Sequence, residues 1–99
     1  MKACVSAWLN EQFGGDADIV GSVYDEYKST LGRLIGELAQ AIANADRPAI
    51  DHALHTIKGS AAMVGDNEVS ALAAESRKLT DLGELQSVHE KLKGFATCL

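Results

Sequence analysis

"VGSVYDEYKSTLGRLIGELAQAIANA", residues 20–45, carries Val20, Tyr24, Tyr27, Leu31, Leu34, Leu38, Ala41 and Ala45 at alternating steps of four and three. That spacing keeps all eight on one face of a helix. The stretch predicts a single amphipathic helix, roughly 40 Å long at 1.5 Å per residue. Asp16 or Asp18 is placed to cap its start, and Asn44 with Asp46 to end it.

Shorter helices follow on either side. Val5, Trp8, Leu9 and Phe13 recur at helical spacing, and Gly14 with Gly15 then breaks the run. Asp46 can cap a third helix in which Pro48 sits in the first turn, where N–H groups have no intrahelical partner. This third helix is expected to reach about Val64. Gly65 suits the left-handed position after it, and Asp66 the cap of a fourth helix with Val69, Leu72, Ser76 and Leu79 on one stripe. Gly83 is expected to separate that helix from a fifth, whose Leu85, Val88, Leu92, Phe95 and Leu99 repeat at three and four. The expected fold is all-α: an antiparallel four-helix bundle, with a short additional N-terminal helix laid across one end. Residues 1–99 are expected to form a single domain, with no linker, repeat or low-complexity stretch.

Composition narrows the function classes. With five aromatic residues, one proline and 46% hydrophobic residues, the chain favours helices over strands and turns. Its 99 residues are too few for an ATP-hydrolysing or Rossmann-type enzyme. Nine Lys and Arg face fourteen Asp and Glu, a net charge of −5 with no basic run, which argues against nucleic acid and for a protein partner. In "MKACVSAWLNEQF" Asn10 and Glu11 interrupt the apolar run before a signal-peptide core or a membrane span can form. A cytoplasmic protein, not membrane-bound, is therefore expected. Cys4 and Cys98 lack C-x-x-C spacing or a second pair, so reduced thiols are expected.

The third helix carries two of the three histidines. At about 100° per residue, Ile50, Ala53, Leu54, Ile57, Ala61 and Val64 fall within roughly 60° of one direction, which must face the core. His55 lies about 140° from it, Gly59 about 180° and His52 about 200°. Neither histidine belongs to the buried stripe.

Residues three and four along a helix lie beside a given side chain, and for His55 these are Lys58 and Gly59. A glycine in a helix interior costs about 1 kcal/mol relative to alanine. What it offers here is clearance, since a macromolecule can approach the imidazole over position 59, and Ala62 keeps the same strip low. Lys58 adds a cation suited to offset the roughly two negative charges of a phosphoryl group. An imidazole, titrating near about 6.5, keeps a free nitrogen lone pair at neutral pH and is a competent nucleophile.

"HTIKGSAAMVG", residues 55–65, resembles the signature of histidine-containing phosphotransfer domains, the HPt modules of phosphorelays, which reads approximately H-x-L-K-G-[SA]-A with a glycine at the helix end. His55, Lys58, Gly59, Ser60, Ala61 and Gly65 match, with Ile57 in place of the leucine. The family's four-helix bundle with a short N-terminal helix is similar to the fold expected here. The resemblance implies that His55 accepts a phosphoryl group from an aspartyl phosphate on a response-regulator receiver domain and passes it to another. It implies that Lys58 assists and Gly59 opens the docking surface, and that the receiver supplies Mg²⁺, so the chain needs no metal, nucleotide or other cofactor of its own. Receiver domains and a hybrid sensor histidine kinase are the expected partners of a monomer. They would dock on the outer side of the third helix and the adjoining second, where His52, Thr56, Gly59, Ala62 and Met63 lie outside the core stripe. Met1 favours a free-standing chain over a domain of a hybrid kinase. The chain departs from the family in the fourth helix, where leucine followed by glutamate is common and Ser76 and Arg77 stand instead. No residue on another helix can therefore be assigned to hydrogen-bond the imidazole.

Other classes fit less well. His52 and His55 lie three apart, but two ligands do not make a metal site, and the Glu-x-x-His pairs of a di-iron bundle are absent. No glycine-rich nucleotide loop supports a kinase. A kinase dimerisation domain would have acidic or polar residues directly after its histidine, where Thr56, Ile57, Lys58 and Gly59 stand. A non-catalytic helical adaptor for protein interactions is the remaining alternative.

Overall fold

Aspartate opens four of the five helices. The computed structural model describes residues 1–99 and consists of α1 (Ala3–Phe13), α2 (Ala17–Ala43), α3 (Arg47–Ala62), α4 (Asn67–Ser76) and α5 (Leu82–Thr97), with no strand. Asp16 accepts from the backbone N–H groups of Asp18 and Ile19, Asp46 from Ala49, Asp66 from Val69 and Asp81 from Glu84. Each such cap satisfies a donor that the helix itself leaves unpaired, worth about 1 kcal/mol. Of the two candidates for α2, Asp16 is the cap, and Asp18 lies in the first turn.

Three helices end in the same way. At the ends of α1, α2 and α3 the sixth residue returns its N–H to the carbonyl of the first: Gly15 to Asn10, Asp46 to Ala41 and Asp66 to Ala61. This closure needs a left-handed residue just before the returning one. Gly14 and Gly65 supply it with φ of 63° and 72°. After α2 the position falls to Ala45, at φ 51°. The apolar stripe that suggested a helical Ala45 therefore overruns the helix, which stops at Ala43. Likewise α3 stops at Ala62, and Met63, Val64 and Gly65 close it, so its expected end near Val64 falls in the closing turn.

The last connection also differs from the expected one. Gly83 does not separate α4 from α5: it lies within the first turn of α5, behind the Asp81 cap. The break is earlier, because α4 ends at Ser76, whose hydroxyl donates back to the Leu72 carbonyl at 2.5 Å. Leu79 is thus outside the helix but still packs half-buried against the core.

One cluster of 22 buried residues fills the centre. Val20, Tyr24, Tyr27, Leu31, Leu34, Leu38 and Ala41 face it as the spacing predicts, joined by Ile35 and Ile42. α2 packs on α3 and α5, and α4 on α3 and α5, so α2, α3, α4 and α5 close a ring in chain order. The three short connections make successive helices antiparallel. The molecule measures 43 × 20 × 19 Å, its length set by α2.

α1 is fastened where α3 turns into α4. Val5 and Leu9 are buried, and Trp8 covers Gly65. The fully buried Asp66 carboxylate accepts from the Lys2 ammonium at 2.8 Å and the Tyr27 hydroxyl at 2.6 Å, besides capping α4. Burial, followed by the hydrogen bond to Asp66, drives the Tyr27 phenol far above its ordinary pKa, so it remains a donor. Lys2 also lies 5.0 Å from the centre of the Phe95 ring. Cys4 and Cys98 are free thiols. No helix is long and apolar enough to cross a membrane.

Candidate functional site

Ile50, Ala53, Leu54, Ile57 and Ala61 turn one side of α3 into the core. The opposite side faces outward. His52, His55, Lys58, Gly59 and Ala62 are exposed there, and Met63 just beyond is 74% exposed. Thr56 is half-buried, with its hydroxyl donating to the His52 carbonyl one turn back. A methyl group at Gly59 would meet no atom within 4 Å. The fold therefore does not require glycine at this position. Lys58 forms no ion pair, and its ammonium is free to meet a ligand.

The sequence leaves the cross-helix neighbour of His55 unassigned, and the structure supplies it. Arg77, the residue that ends α4, brings Nη1 to 3.2 Å from His55 Nδ1. The same guanidinium grips Asp51, with Nε 3.0 Å from Oδ1 and Nη2 3.2 Å from Oδ2. Asp51 is one helical turn before His55, so a two-pronged carboxylate contact aims the third nitrogen at the ring. The Arg77 main chain is held as well, since its carbonyl accepts from Arg47 Nη2 at 3.0 Å. Hydrogen bonding to Arg77, partly opposed by desolvation, holds the Asp51 carboxyl below the usual carboxylate range, and Asp51 raises Arg77 in turn.

Pro48, Asp51, His52, His55 and Arg77 line an open depression of about 350 Å³. At the far end of the same outward face, Val23, Tyr27, Met63 and Val64 contribute to a second hollow of about 370 Å³ between α2 and α3. His89 belongs to neither. Its side chain is 12% exposed, on α5, with Nδ1 lacking a hydrogen-bond partner. No three His, Cys, Asp or Glu side chains gather as a metal site would require.

The family model described as Hpt domain matches residues 22–99, from early in α2 to the end of the chain. The chain belongs to the Hpt domain family. Hpt domains perform histidine phosphotransfer in two-component phosphorelays and interact there with receiver domains and kinases. No curated protein and no solved structure gives a significant match to the chain. The Hpt match covers α3–α5 and α2 from Ser22 onward, and leaves α1 outside it. In this Hpt domain the side chain that meets the His55 ring from the neighbouring helix pair is Arg77, the residue after α4, which the sequence flags only as a departure from the family's pattern. Asp66 lies midway in sequence between His55 and Arg77. In an antiparallel helix pair, residues equidistant from the turn stand side by side, and that symmetry was the available signal.

Proposed function

We propose that this Hpt domain is a phosphorelay intermediate in which His55 takes a phosphoryl group from an aspartyl phosphate of one receiver domain and gives it to the aspartate of another. The observation that carries this is the setting of His55: an exposed imidazole with one side-chain partner from outside α3, Arg77, and with open space over Gly59 one turn on. His52 is exposed but lacks any side-chain partner, and His89 is nearly covered.

In the forward step the lone pair of a neutral ring nitrogen attacks phosphorus. The N–P bond forms as the bond from phosphorus to the aspartyl oxygen breaks, and that carboxylate keeps the electron pair. The proton on the other ring nitrogen then leaves to water. Delivery to the second receiver is the reverse, with a proton regained from water. Lys58, one turn from His55, offsets the charge of the phosphoryl oxygens, and the Mg²⁺ both transfers need belongs to the receiver.

Docking is assigned to the outward face of α3 with the adjoining part of α2. His52, Thr56, Gly59 and Ala62 form the low strip, and exposed Met63, beside the apolar hollow against Val23, gives a partner helix an adaptable contact. Residues 1–99 act as one domain, as a cytoplasmic monomer, with a hybrid sensor histidine kinase upstream. Incubation with a phosphorylated receiver domain tests the assignment. The chain should acquire acid-labile, base-stable phosphate that His55→Gln abolishes and His52→Gln retains. Labelling that survives His55→Gln and is lost in His52→Gln moves the phosphoacceptor to His52 and overturns the assignment to His55. No labelling at all leaves the adaptor reading.

A further inference from the structure

We propose that Arg77 is a positioning residue that caps Nδ1 of His55 and so keeps a phosphoryl group on Nε2 from being lost to water. The proposal rests on His55 being the phosphoacceptor. Its starting point is the contact between Arg77 Nη1 and His55 Nδ1 at 3.2 Å. A guanidinium is always protonated and only donates hydrogen bonds. Nδ1 must then accept, and a neutral ring carries its proton on Nε2.

This arrangement mismatches the nucleophile and matches the product. To attack through the outward nitrogen, the ring needs a lone pair on Nε2, which requires Nδ1 to hold the proton and release Arg77. Once the Nε2–P bond has formed and the Nδ1 proton has gone to water, Nδ1 again offers a bare lone pair. Arg77 can then donate to it without any change of position.

Loss of the group runs through the same atom. Hydrolysis begins with a proton from water adding to Nδ1. The Nε2–P bond then breaks with its electron pair returning to the ring, while a water oxygen bonds to phosphorus and inorganic phosphate departs. Arg77 competes with that proton for one lone pair.

The guanidinium is held from two sides. Two of its nitrogens are held by Asp51, and its own carbonyl is held by Arg47. The charged and titratable neighbours of the ring are Asp51, His52 and Lys58 on α3, Arg47 at the start of α3, and Arg77 at the end of α4. No charged side chain of α2 lines the depression.

The test uses the full chain, phosphorylated with phosphoramidate, with the modified residue located by mass spectrometry and loss of phosphate followed by ³¹P NMR from acid to neutral pH. With the label on His55, Arg77→Gln should lose phosphate about tenfold faster near neutrality, the worth of one charge-assisted hydrogen bond. Its rate profile should be displaced toward higher pH. Asp51→Asn, which loosens Arg77 without removing it, should move the same way by less, and Lys78→Gln on the exposed neighbour should superimpose on the parent. Profiles of Arg77→Gln and Asp51→Asn that both coincide with the parent, while His55 carries the label, overturn the cap and leave the phosphoacceptor intact. Labelling undiminished by His55→Gln overturns both.

Discussion

Trp8 occupies the space that a side chain at position 65 would need: a Cβ added to Gly65 would stand 2.5 Å from the Trp8 Cβ and 2.6 Å from its Cγ. The contact joins α1 to the turn between α3 and α4, beside the buried Asp66 carboxylate. Gly65 also has φ 72°, so two separate requirements fall on one residue. Gly65→Ala should lower stability by about 2–4 kcal/mol, combining left-handed strain with overpacking. Urea unfolding would measure it. A loss below about 1 kcal/mol would mean that α1 can move aside at little cost.

Ala45 presents the opposite case. It fills the left-handed position that closes α2, at φ 51°, and is exposed. Ala45→Gly relieves the strain at the expense of a floppier unfolded chain, and a net gain of about 0.5–1 kcal/mol is expected. The melting temperature should rise while the circular dichroism spectrum stays unchanged.

The bundle was legible because its helices announce themselves locally. The steps of three and four from Val20 to Ala41 fix the buried face of α2, and Asp46 and Asp66 mark two starts within a residue. Ends were harder to read. Apolar spacing continues to Ala45 because a small residue fits a helix or a turn, and Gly83 looks like a break only until Asp81 is known to cap. His55, Lys58 and Gly59 could be found from the same periodicity, since their neighbourhood lies within one helix. Arg77 could not, because its contact depends on how α3 and α4 pair. Tyr27 with Asp66 is similar: each has a local explanation, as stripe and as cap, and their hydrogen bond exists only once α2 lies beside the α3–α4 turn.

The Asp51–Arg77 pair predicts a pH dependence with a definite sign. The folded carboxyl titrates below its ordinary value of 3.8, so the contact favours the folded state fully above that value. Its contribution disappears as the pH falls through the lowered folded value. A ¹³C NMR titration of the Asp51 carboxyl should therefore show a midpoint below 3.8 that moves back up in Arg77→Gln. An unmoved midpoint would show that the guanidinium does not hold Asp51 in solution.

Gly59 separates stability from transfer. It lies inside α3, away from the core stripe, and a Cβ there meets nothing within 4 Å. Gly59→Ala should stabilise the fold by up to about 1 kcal/mol through helix propensity alone. A methyl group is small, so transfer from a phosphorylated receiver should slow only modestly. Gly59→Glu should keep the helical spectrum and stability near those of the parent, because the longer side chain extends into solvent in the free protein. In the complex it would stand one turn from His55 where the partner must approach, and its charge would oppose the incoming phosphoryl oxygens. Receiver-dependent labelling of Gly59→Glu should fall at least about a hundredfold, the scale on which misplacing a reacting centre acts, while labelling by phosphoramidate, too small to be blocked, should remain within a few-fold of the parent. Equal losses with both donors would place the defect in the ring itself and remove Gly59 from the docking surface.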